Sequence, residues 1–560
     1  MNTGDPAGQP LHVAVHAPDV RVLTLVVRRR ASTDTESIAM ARDGAVWRAT
    51  FAAVAGDHYW LVADGLGPLV DPAADEVLMT ERGPVGVVRA RRWPQVLPLT
   101  VQPVDPVVYE LHVRGFARTF AGAIDELDLL SELGVDVIEV MPIHPFDNTD
   151  NYWGYMPIVW GAVHQPYADG ADAAAEFAGL VQAAHDRGIA VWVDVVMNHT
   201  GEGDAGMPTW TLRGLDDAHA YRHRPDGTYF DDSGCGNDSN PSDENVRSLV
   251  MLALQRYADL GVDGFRFDLA SLLTRDGGDL VRRIGDWAAA AGRTLIAEPW
   301  DLAGYQVGDA FPDQRWLQWN DRFRDDVRGF LRGEPGMVPT MVARVGGSAD
   351  LFGAGAPRRS VNFLTAHDGL TMHDLTAVTS DRHRSWDCGP ELRPQQLANA
   401  FCLLLLSAGS AMFVMGDEFA RTQQGHDNPY NIDSPLTWVD WSRLDDWGVL
   451  RDVVTRLLAL RRRADFDDVR CTGTQGPPDL GHESRSLAWY TGNLAVMANM
   501  WWEPLVFDVQ QMGTWQIALT TVSGAWMVDG HVGVPARSVV VLELTAPTSA
   551  VPVPAGEEQP

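Results

Sequence analysis

Four short stretches carry acids and cations where a chain of this composition would otherwise bury apolar side chains. In GVDGFRFDLAS (261–271), Arg266 and Asp268 stand two residues apart. Successive strand residues point to opposite faces. Arg266 and Asp268 therefore share one face, and Phe265, Phe267 and Leu269 take the other, toward surrounding helices. Burying two charges is costly unless they are paired or put to use. TLIAEPW (294–300) ends another strand-like run on Glu298, and NFLTAHD (362–368) ends a third on His367 and Asp368. DVVMNH (194–199) supplies Asp194, Asn198 and His199.

Adjacent parallel strands lie about 4.8 Å apart, so Asp268 and Glu298 are expected side by side. Carboxyls roughly 5–5.5 Å apart are the geometry of glycosidic cleavage with retention of configuration. Arg266 is expected to hold Asp268 ionised, as a nucleophile must be. Glu298 lies between Ala297 and Pro299-Trp300, apolar company that raises a carboxyl's pKa and suits it to protonate a leaving oxygen. His199, His367 and Asp368 are placed to hydrogen-bond the ring hydroxyls of a sugar.

These residues need a frame that brings several strand ends together. Apolar β-runs alternate with helical stretches from about residue 105: VVYELHV, a helix from Ala123 to Leu133, VDVIEVMPI, a helix in AAAEFAGLVQAAHDRG, IAVWVDVVMNH, a helix in SLVMLALQRYADLG, VDGFRFDLA and TLIAEPW. SVNFLTAHDG and AMFVMGDEF follow, with QLANAFCLLLLSAG between them; the sixth strand has no clear signal between 305 and 355. The pattern predicts an α/β fold, a (β/α)8 TIM barrel with reactive groups at the C-terminal strand ends. Short alternating strands flank it on both sides. The expected division is an N-terminal β-sandwich (1–98), a catalytic barrel (99–462), a C-terminal β-sandwich (463–546) and a disordered Pro-rich tail (547–560).

DVVMNH, GFRFDLA, IAEPW and FLTAHD, in that order, resemble the four conserved regions of the α-amylase family of glycoside hydrolases. The resemblance implies that Asp268 is the nucleophile, Glu298 the acid/base and Asp368 a third, transition-state-stabilising carboxylate. It makes Arg266, His199 and His367 substrate-subsite residues. In NYWGYMP it makes Tyr155 the residue that stacks on the sugar, with Trp153 beside it in the same Gly- and Asn-rich loop. YELHVRGF, NYWGYMP, SGCGND, LIAEPWD, SWDCG and GDEFARTQQGHDNPYN are similar to the isoamylase-type debranching enzymes of bacterial glycogen and trehalose metabolism. That likeness implies cleavage of α-1,6 branches in glycogen, limit dextrin or malto-oligosaccharides, with no organic cofactor. Between Leu375 and Ser385 the chain carries only TAVTSDRHR, where such enzymes have a longer loop bordering the cleft. The rival readings are a transglycosylating branching enzyme, a trehalohydrolase and a non-catalytic glucan-binding subunit.

The remaining features bound the problem. The 560 residues hold 44 basic against 75 acidic side chains, a net charge of −31, and every basic residue is arginine. Such a chain lacks the basic footprint that nucleic acid or an anionic membrane requires. Cys235, Cys388, Cys402 and Cys471 fit neither a zinc nor a redox spacing. No secretory signal opens the sequence, and the expectation is a cytoplasmic protein. Asn198 is the one candidate calcium ligand, without the acidic cluster such a site needs. Asp194 is expected to orient Arg266, and Glu110 and Glu139 to satisfy neighbouring groups inside the barrel. Asp417, Glu418 and Arg421 fit either a rim network or an acceptor-side contact. Oligomeric state is not legible.

Overall fold

The computed structural model describes residues 9–89, 94–99 and 101–546; the tail expected at 547–560 lies outside them. Its centre is a closed barrel of eight parallel strands paired in sequence order: β1 (Val107–Leu111), β2 (Val137–Val140), β3 (Ala190–Val195), β4 (Gly264–Phe267), β5 (Thr294–Ala297), β6 (Leu317–Asn320), β7 (Ser360–Phe363) and β8 (Ser410–Val414). The missing sixth strand is therefore Leu317–Asn320.

Each strand divides its side chains between two layers, as the pleat requires. Val108, Val137, Trp192, Ile296, Trp319, Val361 and Met412 pack together as one buried cluster inside the barrel. Phe265 and Phe267 belong instead to the larger cluster that joins strands to helices, where Phe265 meets Trp287 and Phe267 meets Trp316. Gly264 opens β4 because a Cβ there would lie 2.5 Å from the Trp192 ring. The outer layer includes α1 (Ala173–His185), α2 (Glu244–Asp259), α3 (Asp279–Ala291), α4 (Asp321–Arg332), α5 (Arg393–Leu405) and α6 (Arg443–Arg461). The expected helix over 123–133 is two, Phe120–Asp125 and Leu127–Leu133, broken at Glu126.

Before the barrel, a three-stranded and a six-stranded sheet enclose a separate core built on Val13, Leu25, Trp47, Phe51, Tyr59 and Leu61. After it, a five-stranded and a three-stranded sheet enclose Tyr490, Met497, Phe507, Trp515 and Val532. No helix among the described residues is long and apolar enough to cross a membrane.

Candidate active site

The register sets the site. Phe267 of β4 pairs with Ala297 of β5. Beyond the strand ends the pairing continues, because the Glu298 amide donates to the Phe267 carbonyl at 3.1 Å. Asp268 and Glu298 thus leave adjacent strands at the same level. On β3, Asp194 stands directly across from Arg266.

Arg266 is 1 % exposed and holds three carboxylates. Nη1 donates to Asp194 Oδ2 at 2.6 Å and to Asp268 Oδ1 at 3.3 Å, and Nη2 donates to Glu298 Oε2 at 2.7 Å. The expected contact between Arg266 and Asp268 is present but is the longest of the three. The short contacts of Arg266 run across strands, to Asp194 and Glu298, because cross-strand neighbours lie nearer than residues two apart on one strand. Its guanidinium carbon sits 4.1 Å from the centre of the Trp319 ring, a cation–π contact that sequence reading missed. Asp268 gains a second support from Asn198, whose Nδ2 donates to its Oδ2 at 2.9 Å and its carbonyl at 2.7 Å.

Leu269 does not pack with the phenylalanines. It is half-buried and lies in the left-handed region at φ 40°, a conformation that costs a β-substituted residue of the order of 1–3 kcal/mol. That turn aims its amide at Glu298 Oε2, 3.0 Å away. Burial raises the Glu298 carboxyl to about 8, and the like charges of Asp268 and Asp368 add to it; Arg266 and the Leu269 amide oppose the shift. Asp194 is pushed up to about 7, again by burial, against Arg266 and with Asp268. Asp368 lies exposed at the rim, with no hydrogen-bond partner among the described residues.

The histidines differ. His367 Nδ1 faces Glu110 Oε1 at 2.8 Å and the Tyr155 hydroxyl at 3.3 Å. Its ring stacks on Tyr155 with centroids 4.8 Å apart and meets the edge of Trp153 at 4.9 Å. Burial works to lower its pKa, but the Glu110 carboxylate overcomes this and lifts it to about 9. His199 has both nitrogens engaged by the protein, Nδ1 with Asn198 Oδ1 at 2.5 Å and Nε2 with the Tyr155 carbonyl at 2.7 Å. Both partners accept only, so both nitrogens donate. Burial again opposes the charge, and Cys235, Asp268 and the Tyr155 carbonyl lift it to about 9. The free sugar-facing donor expected of His199 is therefore absent here; it braces Asn198 and the Tyr155 loop. Trp153 is only 9 % exposed and forms wall rather than platform, packed with Met141 and Tyr152.

Other expectations also meet the geometry. Asn198 spends its amide on Asp268, and its oxygen accepts from His199; no cluster of three metal-ligating side chains occurs among the described residues. Asp417 accepts from Thr365, Met372 and Val414, Glu418 from Tyr109, and Arg421 donates to Met415, Gln423 and Thr437; all three are buried. They form a buried network under the rim. Glu139 is expected to satisfy neighbours, yet neither of its oxygens has a hydrogen-bond partner among the described residues.

The short loop over 376–384 is tied down. His383 Nε2 meets Asp427 Oδ2 at 2.8 Å, and the Asp427 carbonyl accepts from the Gly369 amide beside Asp368. A cavity of about 500 Å³ lined by Trp300, Tyr305, Asp321 and Arg324 opens where the chain leaves Glu298. Another, about 300 Å³ and lined by Trp192, Arg293 and Leu317, lies at the opposite end of the strands, away from the carboxylates.

Comparison with known proteins adds a separate line of evidence. The alpha-amylase catalytic-domain family model matches residues 114–207. A "Glycogen operon protein GlgX homolog" of Mycobacterium tuberculosis (strain ATCC 25618 / H37Rv) is 36% identical over 460 residues, covering 71% of this chain and 63% of the relative. "Isoamylase 1, chloroplastic" of Oryza sativa subsp. japonica is 34% identical over 488 residues, covering 71% and 61%. The chain thus spans a little under two thirds of the length of these curated relatives. Among solved structures, a pullulanase complexed with maltotetraose, from Anoxybacillus sp. LM18-11, superposes with a TM-score of 0.83 over 97% of this chain and 87% of that one, at 23% identity. That likeness is one of fold.

Proposed function

This chain belongs to the α-amylase family, among the isoamylase-type proteins, and from that premise we propose that it is a retaining hydrolase of α-1,6 branch linkages in α-glucans such as glycogen or limit dextrin. An Asp268 oxygen attacks the anomeric carbon as the glycosidic C–O bond breaks. Glu298 gives its proton to the departing oxygen, and a covalent glycosyl ester on Asp268 results. Glu298, now a carboxylate, then takes a proton from the water that hydrolyses the ester. Asp368, unpaired at the rim, faces the sugar's hydroxyls, and Tyr155 lies against its ring with His367 and Trp153 behind. The departing chain runs into the cavity bordered by Trp300 and Tyr305. No step requires a cofactor.

The observation that carries this reading is one guanidinium clamping two in-register acids of unlike environment. The Asp268 carboxylate takes one amide contact from Asn198 besides Arg266. Glu298 is lifted to about 8 by burial. Asp268 meets donors on both carboxylate oxygens, and Glu298 is suited to carry a proton. A reducing compartment such as the cytoplasm fits the four unpaired cysteines.

The test is incubation with glycogen and limit dextrin, scoring reducing ends and chain-length products. New reducing ends with released linear chains are expected. Redistributed branches at constant reducing ends would assign transglycosylation instead, and wild-type protein inert on every α-glucan would leave a binding module.

A further inference from the structure

A second in-register acid pair lies across the barrel from the first. Glu110 of β1 stands directly beside Glu139 of β2, and each is 1 % exposed. The mechanism above uses neither. Among the described residues Glu110 has a single side-chain partner, His367 Nδ1, while its Oε2 is buried with none. We propose that Glu110 is a positioning residue that keeps His367 an imidazolium, so that Nε2–H stands as a charged donor to the sugar at the cleavage point.

The proton placement follows from the partners. The Tyr155 hydroxyl gives its hydrogen to Asp194 Oδ2 at 2.5 Å, so it can only accept from His367. A carboxylate also only accepts. Nδ1 therefore carries a proton in every state of the ring, and the open question is Nε2. Uncompensated, the Glu110 carboxylate would be an isolated buried charge, which costs several kcal/mol; a second proton on the ring neutralises the pair. The other titratable or charged groups facing His367 are Glu139 from β2, Asp194 from β3, Arg266 from β4, His112 just beyond β1 and Asp368 beside it in sequence. Arg266 and His112 disfavour the second proton, but Arg266 is itself bound to three carboxylates and burial pulls His112 down to about 3, leaving it neutral. Glu139 has no hydrogen-bond partner among the described residues and does not touch the ring.

The decisive variant is Glu110→Gln. Its amide oxygen still accepts from Nδ1–H, so ring orientation survives while the charge is lost. Carbon-13-labelled histidine Cε1 resonances, with His367 assigned through H367Q, report the ring directly. The wild-type resonance is expected to titrate near 9 and the E110Q resonance at least one unit lower. Turnover of branched glucan by E110Q is expected to fall about 100-fold in kcat at pH 8, the loss typical of one transition-state donor. It should recover toward wild type as pH falls through the lowered His367 pKa that the E110Q resonance reports. Glu110→Asp keeps the charge and should stay closer to wild type at pH 8. An unchanged His367 titration in folded E110Q, or a kcat loss equal at every pH, overturns the proposal. It rests on the reading of His367 as a sugar-facing residue. The resonance needs no substrate, however, so a wild type inert on α-glucans sinks the hydrolase reading and leaves the titration interpretable.

Discussion

The barrel holds two pairs of adjacent acids, one on β4 and β5 and one on β1 and β2, with opposite provision of charge. Asp268 and Glu298 share Arg266 and collect further donors from Asn198 and the Leu269 amide. Glu110 and Glu139 have one histidine between them, and only Glu110 touches it. Two acids at one level of adjacent strands thus become a poised pair at one wall and an unequally partnered pair at the other. Placement of a single cation decides which, because an unpaired buried carboxyl lowers its cost by keeping its proton.

The largest effect should come from the poised pair. Asp268→Asn preserves shape and the contact from Asn198, so the fold should hold while kcat falls by about 10⁴-fold or more, the scale of losing a covalent nucleophile. Single-turnover assays on glycogen check it, and a kcat within tenfold of wild type would remove Asp268 from the reaction. Arg266→Met comes next. It strips the shared partner from Asp194, Asp268 and Glu298 together and should destabilise the fold by about 3–5 kcal/mol in urea unfolding. A loss under 1 kcal/mol would mean the three acids protonate at little cost, and the contrast between the two walls would collapse.

A smaller effect is the alkaline edge of activity. Glu298 must carry a proton to protonate the leaving oxygen, and burial holds that proton up to about 8. On the basic side kcat/KM should therefore be level below that value and then fall about tenfold per pH unit. The edge should survive in E139Q, since Glu139 is not among the groups that set Glu298. An edge near the ordinary carboxyl range would show that Glu298 is no acid.

Much of this was legible because strand alternation is a strong constraint. Once Phe265 and Phe267 face the helices, Arg266 and Asp268 have nowhere to point but inward. β6 was not legible because its helix-facing positions are polar: Gln318 bonds both backbone groups of Gly308, and Asn320 reaches Ser348 and Ser360. Local bonding removed the apolar signal. Arg266 looked like the partner of Asp268 because the two are close in sequence. Register with Asp194 is a property of the sheet, visible only once strands are paired. His199 reads as a sugar ligand until the loop carrying Tyr155 folds over and takes its second nitrogen. Glu139 resembles Glu110 in every respect sequence records, and differs in what the barrel puts beside it.

That last difference has the smallest and cleanest consequence. Burial, with Glu110 and Asp194 nearby, pushes the Glu139 carboxyl far above its ordinary range. A raised carboxyl binds its proton more tightly folded than unfolded, so its favourable contribution is complete below the unfolded pKa of about 4.3 and is lost as pH rises toward the folded value. Glu139→Gln keeps the shape and removes the titration. Relative to wild type, E139Q should gain stability, by at most about 1.4 kcal/mol per pH unit, as pH rises above the unfolded pKa, with Glu110, one strand over, as the comparison. Because E110Q frees His367 from the carboxylate that raises it, E110Q should also gain on wild type, but only above about pH 6.5, where an unfolded imidazole has lost its proton and the folded wild-type ring has not. Parallel stability curves for E139Q and wild type would mean that Glu139 is ionised in the folded barrel and has found a cation, and the two walls would then be alike.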